Sequence, residues 1–265
     1  MSANMSAKNL TYAMLSDPGR VRSHNEDACA ANADLGAFVV CDGVGGAASG
    51  EVASQLAANS FLELMIRARN EDASSEDGIS AGVEYANQLV YKKSRQTAAL
   101  RGMATTMVAL VFTPKVECSS IETPGSAGTV WIANIGDSRC YRLSGGRIEQ
   151  LTHDHSVVAE QVRAGVITRQ QAEVSPIRNV ITRAIGSEAD VEADVQCLPS
   201  RHGELYLLCS DGLTRDLTDV EIASILLTAQ DATAESLAAL CARLVDAANE
   251  KGGGDNITCI LVHIA

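Results

Sequence analysis

The sequence predicts an α+β domain with its helices and strands sorted into separate layers. Three observations predict it. Short apolar runs follow one another with no helical pattern between them. Long helical patterns come in adjacent pairs. The chain has 265 residues, 46% of them hydrophobic and 20% charged, enough to bury a sizeable core. Regular strand–helix alternation, the mark of βαβ units, is missing. Aromatic residues make up only 3%, so the core has to be built from Ala, Val, Leu and Ile.

In chain order, strands are expected at residues 10–15, 37–41, 106–112, 129–135, 140–143, 204–209 and 257–264, each a short apolar run bounded by turn formers. Residues 51–69 and 79–100 read as two long helices, with the polar, acidic stretch 70–80 as a loop between them. Residues 117–128 read as a long hairpin connection. Thr218-Asp219-Val220-Glu221, just before Ile222, has capping-box spacing and should start a helix. Ala234, Leu237, Ala238, Cys241, Leu244, Val245 and Ala248 fall on one apolar stripe of another.

Composition excludes several roles. Asp and Glu outnumber Lys and Arg by 33 to 21, a net charge of −12. Such a chain repels a nucleic-acid backbone and an anionic membrane surface alike. No apolar run approaches the ~20 residues of a membrane-spanning helix. Residues 1–10 are polar, without the apolar stretch of a secretory signal. A cytoplasmic location is therefore expected. Eight cysteines stand at 29, 41, 118, 140, 197, 209, 241 and 259, with no C-x-x-C and mostly within apolar runs. They read as small buried thiols rather than a disulfide framework or a zinc site.

Acidic residues recur at strand ends. Phe38-Val39-Val40-Cys41 runs into Asp42-Gly43, Leu205 to Ser210 into Asp211-Gly212, and Trp131 to Gly136 into Asp137. Asp255-Asn256 precedes the last strand, and Glu26-Asp27 another short apolar stretch. One Asp-Gly is an ordinary turn dipeptide. Several carboxylates, each at the edge of a buried strand, are costly to desolvate unless a cation neutralises them. All-oxygen ligand sets of this kind suit Mg²⁺ and Mn²⁺. A glycine after a ligand Asp lets the backbone turn so that a carbonyl also faces the ion.

The segments around these acids resemble a known family. Arg20-Val21-Arg22-Ser23-His24-Asn25-Glu26-Asp27 and Val40-Cys41-Asp42-Gly43-Val44-Gly45-Gly46, with Gly50-Glu51-Val52-Ala53, are similar to the opening motifs of the protein phosphatase 2C family, the metal-dependent Ser/Thr phosphatases, in its bacterial form. Met103-Ala104-Thr105-Thr106, Asn134 to Arg139, Leu151 to Ser156, Thr182 to Gly186, Cys209 to Leu213 and Gly254 to Thr258 follow in the family's order. Each motif alone is weak; eight in order, over residues 10–264, are specific.

The resemblance implies a four-layer αββα sandwich, two antiparallel sheets flanked by helix pairs. Residues 1–265 are expected to be one catalytic domain with 1–9 as an N-terminal tail. It implies that Asp42 bridges two Mn²⁺ or Mg²⁺ ions and that Asp211 and Asp255 complete the first site. The Gly43 carbonyl, with Glu26 or Asp27, serves the second. Asp137 with Asp211 matches a third, weaker site, with Asn179 beside it. Arg22 matches the arginine that grips substrate phosphate, so Arg22, Asp42 and Asp211 are the expected catalytic residues. The implied reaction is hydrolysis of phospho-Ser/Thr proteins, the products of a bacterial Ser/Thr kinase. A metal-bridging hydroxide attacks phosphorus in line, without a phosphoenzyme. The chain departs from the family at Ala104, where Gly is usual, and at Val44, where animal members carry a His proposed as general acid. The segment 156–182 matches only loosely.

Three other readings stand beside this one. Cys209-Ser210-Asp211-Gly212-Leu213-Thr214-Arg215 fits C-x-x-G-x-x-R, the phosphate loop of cysteine phosphatases, although Asp211 would put a negative charge in the anion cradle. His153-Asp154-His155 places two imidazoles on one face of an extended segment, a partial zinc site. A pseudophosphatase would bind phosphoproteins without turnover; intact Asp42, Asp211 and Asp255 speak against it. Oligomeric state is not legible.

Overall fold

The computed structural model describes residues 10–45, 47–70, 75–114, 126–229 and 231–265. Two antiparallel sheets form its centre. The first has the order β1 (Leu10–Asp17), β11 (Ile257–Ile264), β10 (Leu205–Cys209), β7 (Arg139–Ser144) and β8 (Arg147–Gln150). The second runs β2 (Asp27–Asn32), β3 (Ala37–Val44), β5 (Met107–Thr113), β6 (Ser126–Ile135) and β9 (Asp194–Arg201), with the two-residue β4 (Ala104–Thr105) on the end of β3.

The sheets pack face to face through Phe38, Val40, Val108, Leu110, Ile132, Tyr206, Leu208, Ile260 and Val262. The alternate residues of the same strands point outward. Val39, Cys41, Met107, Ala109 and Ala133 meet α1 (Ala47–Asn70) and α2 (Ser75–Ser94). Leu207, Cys209, Cys259 and Leu261 meet α7 (Ala234–Lys251), with α5 (Asp211–Asp216) and α6 (Asp219–Leu226) completing that layer. Strands covered on both faces need apolar residues at every position, so the inner ones read as unbroken apolar runs. The result is the expected αββα sandwich. Its outer layers are unequal: one long helix pair, and one long helix with two short ones.

The central strands lie where the sequence put them. The missed strands are edges, together with β4. β2 is Asp-Ala-Cys-Ala-Ala-Asn, small residues of low strand propensity. β8 has four residues, and β9 carries Pro199, which an edge tolerates because it need not donate on its outer side. Helix α2 begins inside the stretch expected to be loop. Glu76 and Asp77 in its first turn favour a helix N-terminus, so acidity there marked a start. It ends at Ser94, and only a single 3-10 turn, Ala98–Leu100, follows. The start of the expected 117–128 connection lies outside the described residues, and β6 begins within its end. The capping box at Thr218 and Glu221 forms as expected. On α7, Leu240 joins the buried stripe, while Ala234 and Ala238 are exposed.

Among the described residues six cysteines are free, five of them buried. Cys197, on edge strand β9, is disulfide-bonded, which corrects the expectation of thiols there. Spacing alone does not reveal such a pairing. Cys118 lies outside the described residues.

Candidate metal centre

The strand-end carboxylates gather at one end of the sandwich, and both sheets contribute. In the β2–β3 ladder Asp27 stands directly opposite Asp42. Like charges at facing positions destabilise a sheet, so this pairing is not explained by folding. Asp211 follows β10, Asp255 precedes β11, and Asp137 lies on the link that carries the chain from β6 in one sheet to β7 in the other.

Backbone and hydroxyl contacts hold these residues in place. The Asp42 N–H donates to Thr106 Oγ1 at 3.0 Å, and Thr106 Oγ1 lies 2.7 Å from Ser138 Oγ, next to Asp137. Ser210 Oγ donates to Asp27 Oδ2 at 2.7 Å and accepts from the Thr258 N–H at 3.0 Å. Asn256 ties three segments together. Its Nδ2 donates to the Pro18 and His24 carbonyls at 3.0 and 2.9 Å, and its Oδ1 accepts from the Glu26 N–H at 2.8 Å. Glu26 lies against α1. A Cβ on Gly50 would come within 2.1 Å of Glu26 Oε2, and one on Gly43 within 2.3 Å of the Gly50 carbonyl. Both glycines are therefore demanded by close approach.

Asp27 Oδ1 and Asp211 Oδ1 are buried with no hydrogen-bond partner. Burial pushes the Asp27 carboxyl up from 3.8 to about 7; hydrogen bonds from Thr258 and Ser210 oppose the rise, and the Asp211 and Asp255 charges add to it. Burial, then the Asp211 charge, pushes Asp137 up from 3.8 to about 7 as well. Asp42 is driven well above the carboxylate range by burial and then by Asp27, Asp211 and Asp137. Asp211 is raised by burial although Arg215 opposes the shift. Glu26 is also raised by burial, against the pull of Arg22.

Two guanidiniums answer these acids. Arg215, one helical turn after Asp211, donates through Nη2 to Asp211 Oδ2 and through Nη1 to Asp255 Oδ2. Arg22 Nη2 reaches the same Asp255 oxygen at 3.0 Å from the exposed rim. Once all are ionised, six carboxylates (Glu26, Asp27, Asp42, Asp137, Asp211 and Asp255) against two guanidiniums leave a deficit of four positive charges, the charge of two divalent ions. The donor set is all oxygen, two of its oxygens are orphaned, and a hard divalent cation fits it. Among the described residues no three His, Cys, Asp or Glu side chains yet close around one point; Arg215 lies between two of them. Asn179 lines the same groove as Asp137, Asp211 and Arg215, a cleft of about 700 Å³.

Sequence reasoning took Arg215 only as part of a cysteine loop. The signal for its real setting was present, because residues four apart on a helix are neighbours. The clamp role of Asn256 had no such signal, since its partners lie far away in the chain.

The structure removes two of the other readings. Cys209 is the last residue of β10, packed under α7, and burial pushes its thiol up to about 12, so it is no thiolate nucleophile. His153 is exposed while His155 is buried. The Gly136 N–H donates to His155 Nδ1 at 3.2 Å, and His155 Nε2 lies 3.2 Å from Asp194 Oδ2. Asp154 is taken by Arg139, at 2.9 and 2.7 Å. That segment orients the groove and holds no zinc site.

The protein phosphatase 2C family profile matches residues 20–261. The chain belongs to the protein phosphatase 2C family. It is similar to the serine/threonine phosphatase stp of Listeria welshimeri, 34% identical over 254 residues that cover 93% of each chain. The phosphatase 2C fold is shared in detail with Stp1 from Staphylococcus aureus, a serine/threonine phosphatase (TM-score 0.80, 31% identity, 97% of this chain and 95% of that one). The catalytic domain of the serine/threonine phosphatase PstP, solved with two manganese ions, aligns at TM-score 0.78 and 33% identity over 96% of this chain and 97% of that one.

For this phosphatase 2C member the raised carboxyls carry a pH consequence. A carboxyl whose pKa is higher folded than unfolded stabilises the fold below the unfolded value, and that contribution is lost as pH rises toward the folded value. With chelator present, thermal stability should therefore fall as pH climbs from near 3.8 to about 7, the interval set by Asp27 and Asp137. Saturating Mn²⁺ should reverse the trend, because ligands bind metal in deprotonated form. Melting curves with chelator and with Mn²⁺ across that range check it; identical slopes would contradict it.

Proposed function

We propose that this chain is a metal-dependent protein Ser/Thr phosphatase in which residues 1–265 act as one catalytic unit. The observation that carries the reading is the carboxylate cluster itself: facing Asp27 and Asp42, orphaned oxygens on Asp27 and Asp211, Asp255 joined to Asp211 through Arg215, and Asp137 and Asp211 lining a groove. Asp42 would bridge two ions, Asp211 and Asp255 would serve the first, and the Gly43 carbonyl with Glu26 or Asp27 the second. Asp137 and Asp211, with Asn179 beside them, would take a third, weaker ion. Mn²⁺ and Mg²⁺ both suit these oxygens. When bound, such ions acidify a water and offset phosphate charge.

The chain's own residues do the rest. Arg22, exposed at the rim, would fork onto the phosphate oxygens and hold the group for in-line displacement. Cys209 is buried and Ser210 is committed to Asp27, so neither is placed to form a phosphoenzyme. Val44, exposed at the end of β3, has no proton to give, so the leaving alkoxide takes its proton from water or from another group. Phosphorylated Ser/Thr proteins are the substrates, and a Ser/Thr kinase must supply them. Among the described residues no helix is long and apolar enough to cross a membrane.

Release of inorganic phosphate from a phosphothreonine peptide by the Mn²⁺-loaded protein tests this function. No release, from a protein shown to bind Mn²⁺, would overturn it. Arg22→Ala should raise KM several-fold with a smaller loss in kcat, because Arg22 grips a phosphate already charged in the ground state. Steady-state kinetics on the same peptide check this. An unchanged KM with a collapsed kcat would assign Arg22 to the transition state instead.

A further inference from the structure

We propose that Arg215 is a resident counter-cation of the metal-free centre, which an incoming ion has to displace. The inference rests on the metal reading above. The Arg215 guanidinium spans Asp211 Oδ2 and Asp255 Oδ2, side chains that follow β10 and precede β11 at the same end of that antiparallel pair. The other oxygen of Asp255 accepts from the Asn256 N–H at 2.9 Å, so both of its oxygens are engaged while Arg215 is in place. The Asp211, Asp255 and Arg215 side chains are 11%, 15% and 29% exposed, so solvent screens the contacts only in part.

Two features make this a competitor rather than a bystander. First, it holds oxygens that Asp211 and Asp255 would offer to the first ion. Second, a guanidinium stays protonated at any working pH, so it leaves by moving, never by losing its proton. Arg215 lines the groove beside Asp137 and Thr214, which gives it space to move. It contributes one charge where an ion would bring two, so it relieves the repulsion among the acids without cancelling it. The metal-free fold is thereby made tolerable, and metal affinity is lowered by the contacts that must first be broken.

The test is Mn²⁺ titration of chelator-stripped protein by calorimetry, with thermal unfolding of the stripped form as a second readout. Arg215→Ala should bind Mn²⁺ about ten-fold tighter or more, the scale set by losing charge-assisted hydrogen bonds to an ion's ligands. It should also melt lower than wild type without metal and gain more from Mn²⁺. Arg215→Lys keeps one charge but has no planar fork to span both acids, so its affinity should fall between the two. This second variant decides the matter if Arg215→Ala does not fold when stripped. Equal or weaker Mn²⁺ binding by the folded variants would overturn the inference and make Arg215 a support of the ligands. A wild-type protein that binds no Mn²⁺ would instead remove the metal reading itself.

Discussion

Excess chelator should bring phosphate release to background, and added Mn²⁺ should restore it more strongly than Ca²⁺. The loss should be about 10³-fold or more, because Lewis-acid stabilisation of a phosphoryl transition state is worth several kcal/mol. Glu26, Asp27, Asp42, Asp137, Asp211 and Asp255 form an acidic basin in which, among the described residues, Arg22 and Arg215 are the cations paired with these acids. A dianionic phosphate meets that basin as a repelling surface until further cations occupy it. Mn²⁺ should be preferred because a small, rigid octahedral ion suits few, fixed oxygens, whereas Ca²⁺ wants more ligands at longer distance. The measurement is phosphopeptide or p-nitrophenyl phosphate hydrolysis across chelator, Mn²⁺ and Ca²⁺. Unchanged turnover in excess chelator would sink the metal-dependent mechanism.

Asp211→Asn should lower turnover by about 10² or more, while Cys209→Ser should retain it. The two residues are neighbours in sequence with opposite settings. Asp211 sits among acids with one oxygen held by Arg215 and the other orphaned. Removing its charge leaves Arg215 without one partner and weakens the ligand set by one anion. Cys209 fills space beneath α7 beside Cys259 and Leu261, so its hydroxyl replacement should cost about 1–2 kcal/mol of stability and no chemistry. Kinetics of both variants, with a melting curve for each, separate the outcomes. A folded, metal-binding Cys209→Ser protein without activity would refute this assignment.

The layered fold was readable because its inner strands are apolar on both faces, and six of the seven runs that stand out in the sequence are inner strands. Edge strands carry a weaker signature, and β2 illustrates why. Ala28 and Ala30 lie under α1 and offer little apolar surface, yet the strand's first residue, Asp27, faces Asp42. The acids themselves were legible from their places at strand ends. Their mutual approach was not, since register between β2 and β3 sets which residues face each other. Asn256 and Ser210 likewise look unremarkable in sequence. Their roles come from contacts with residues more than 180 positions away. Arg215 shows a different limit: a short motif supplied the wrong chemical frame for a residue whose helical spacing to Asp211 was already visible.

The division of the acids between the two sheets has a mechanical consequence. Asp27 and Asp42 stand on one layer, Asp211 and Asp255 on the other, and Asp137 on the strap that crosses between them. The opposite end of the interface is closed by Leu10, Phe112, Leu198 and Ile264, an apolar seal. The sandwich is therefore hinged like a book, with its spine at the apolar end and its pages pushed apart at the other by like charge. Partial opening of the metal-free protein should begin at the carboxylate edge and travel toward the seal. Cations seated between the pages would act as a clasp, so that the same contacts that prepare the chemistry also set how tightly the layers cohere.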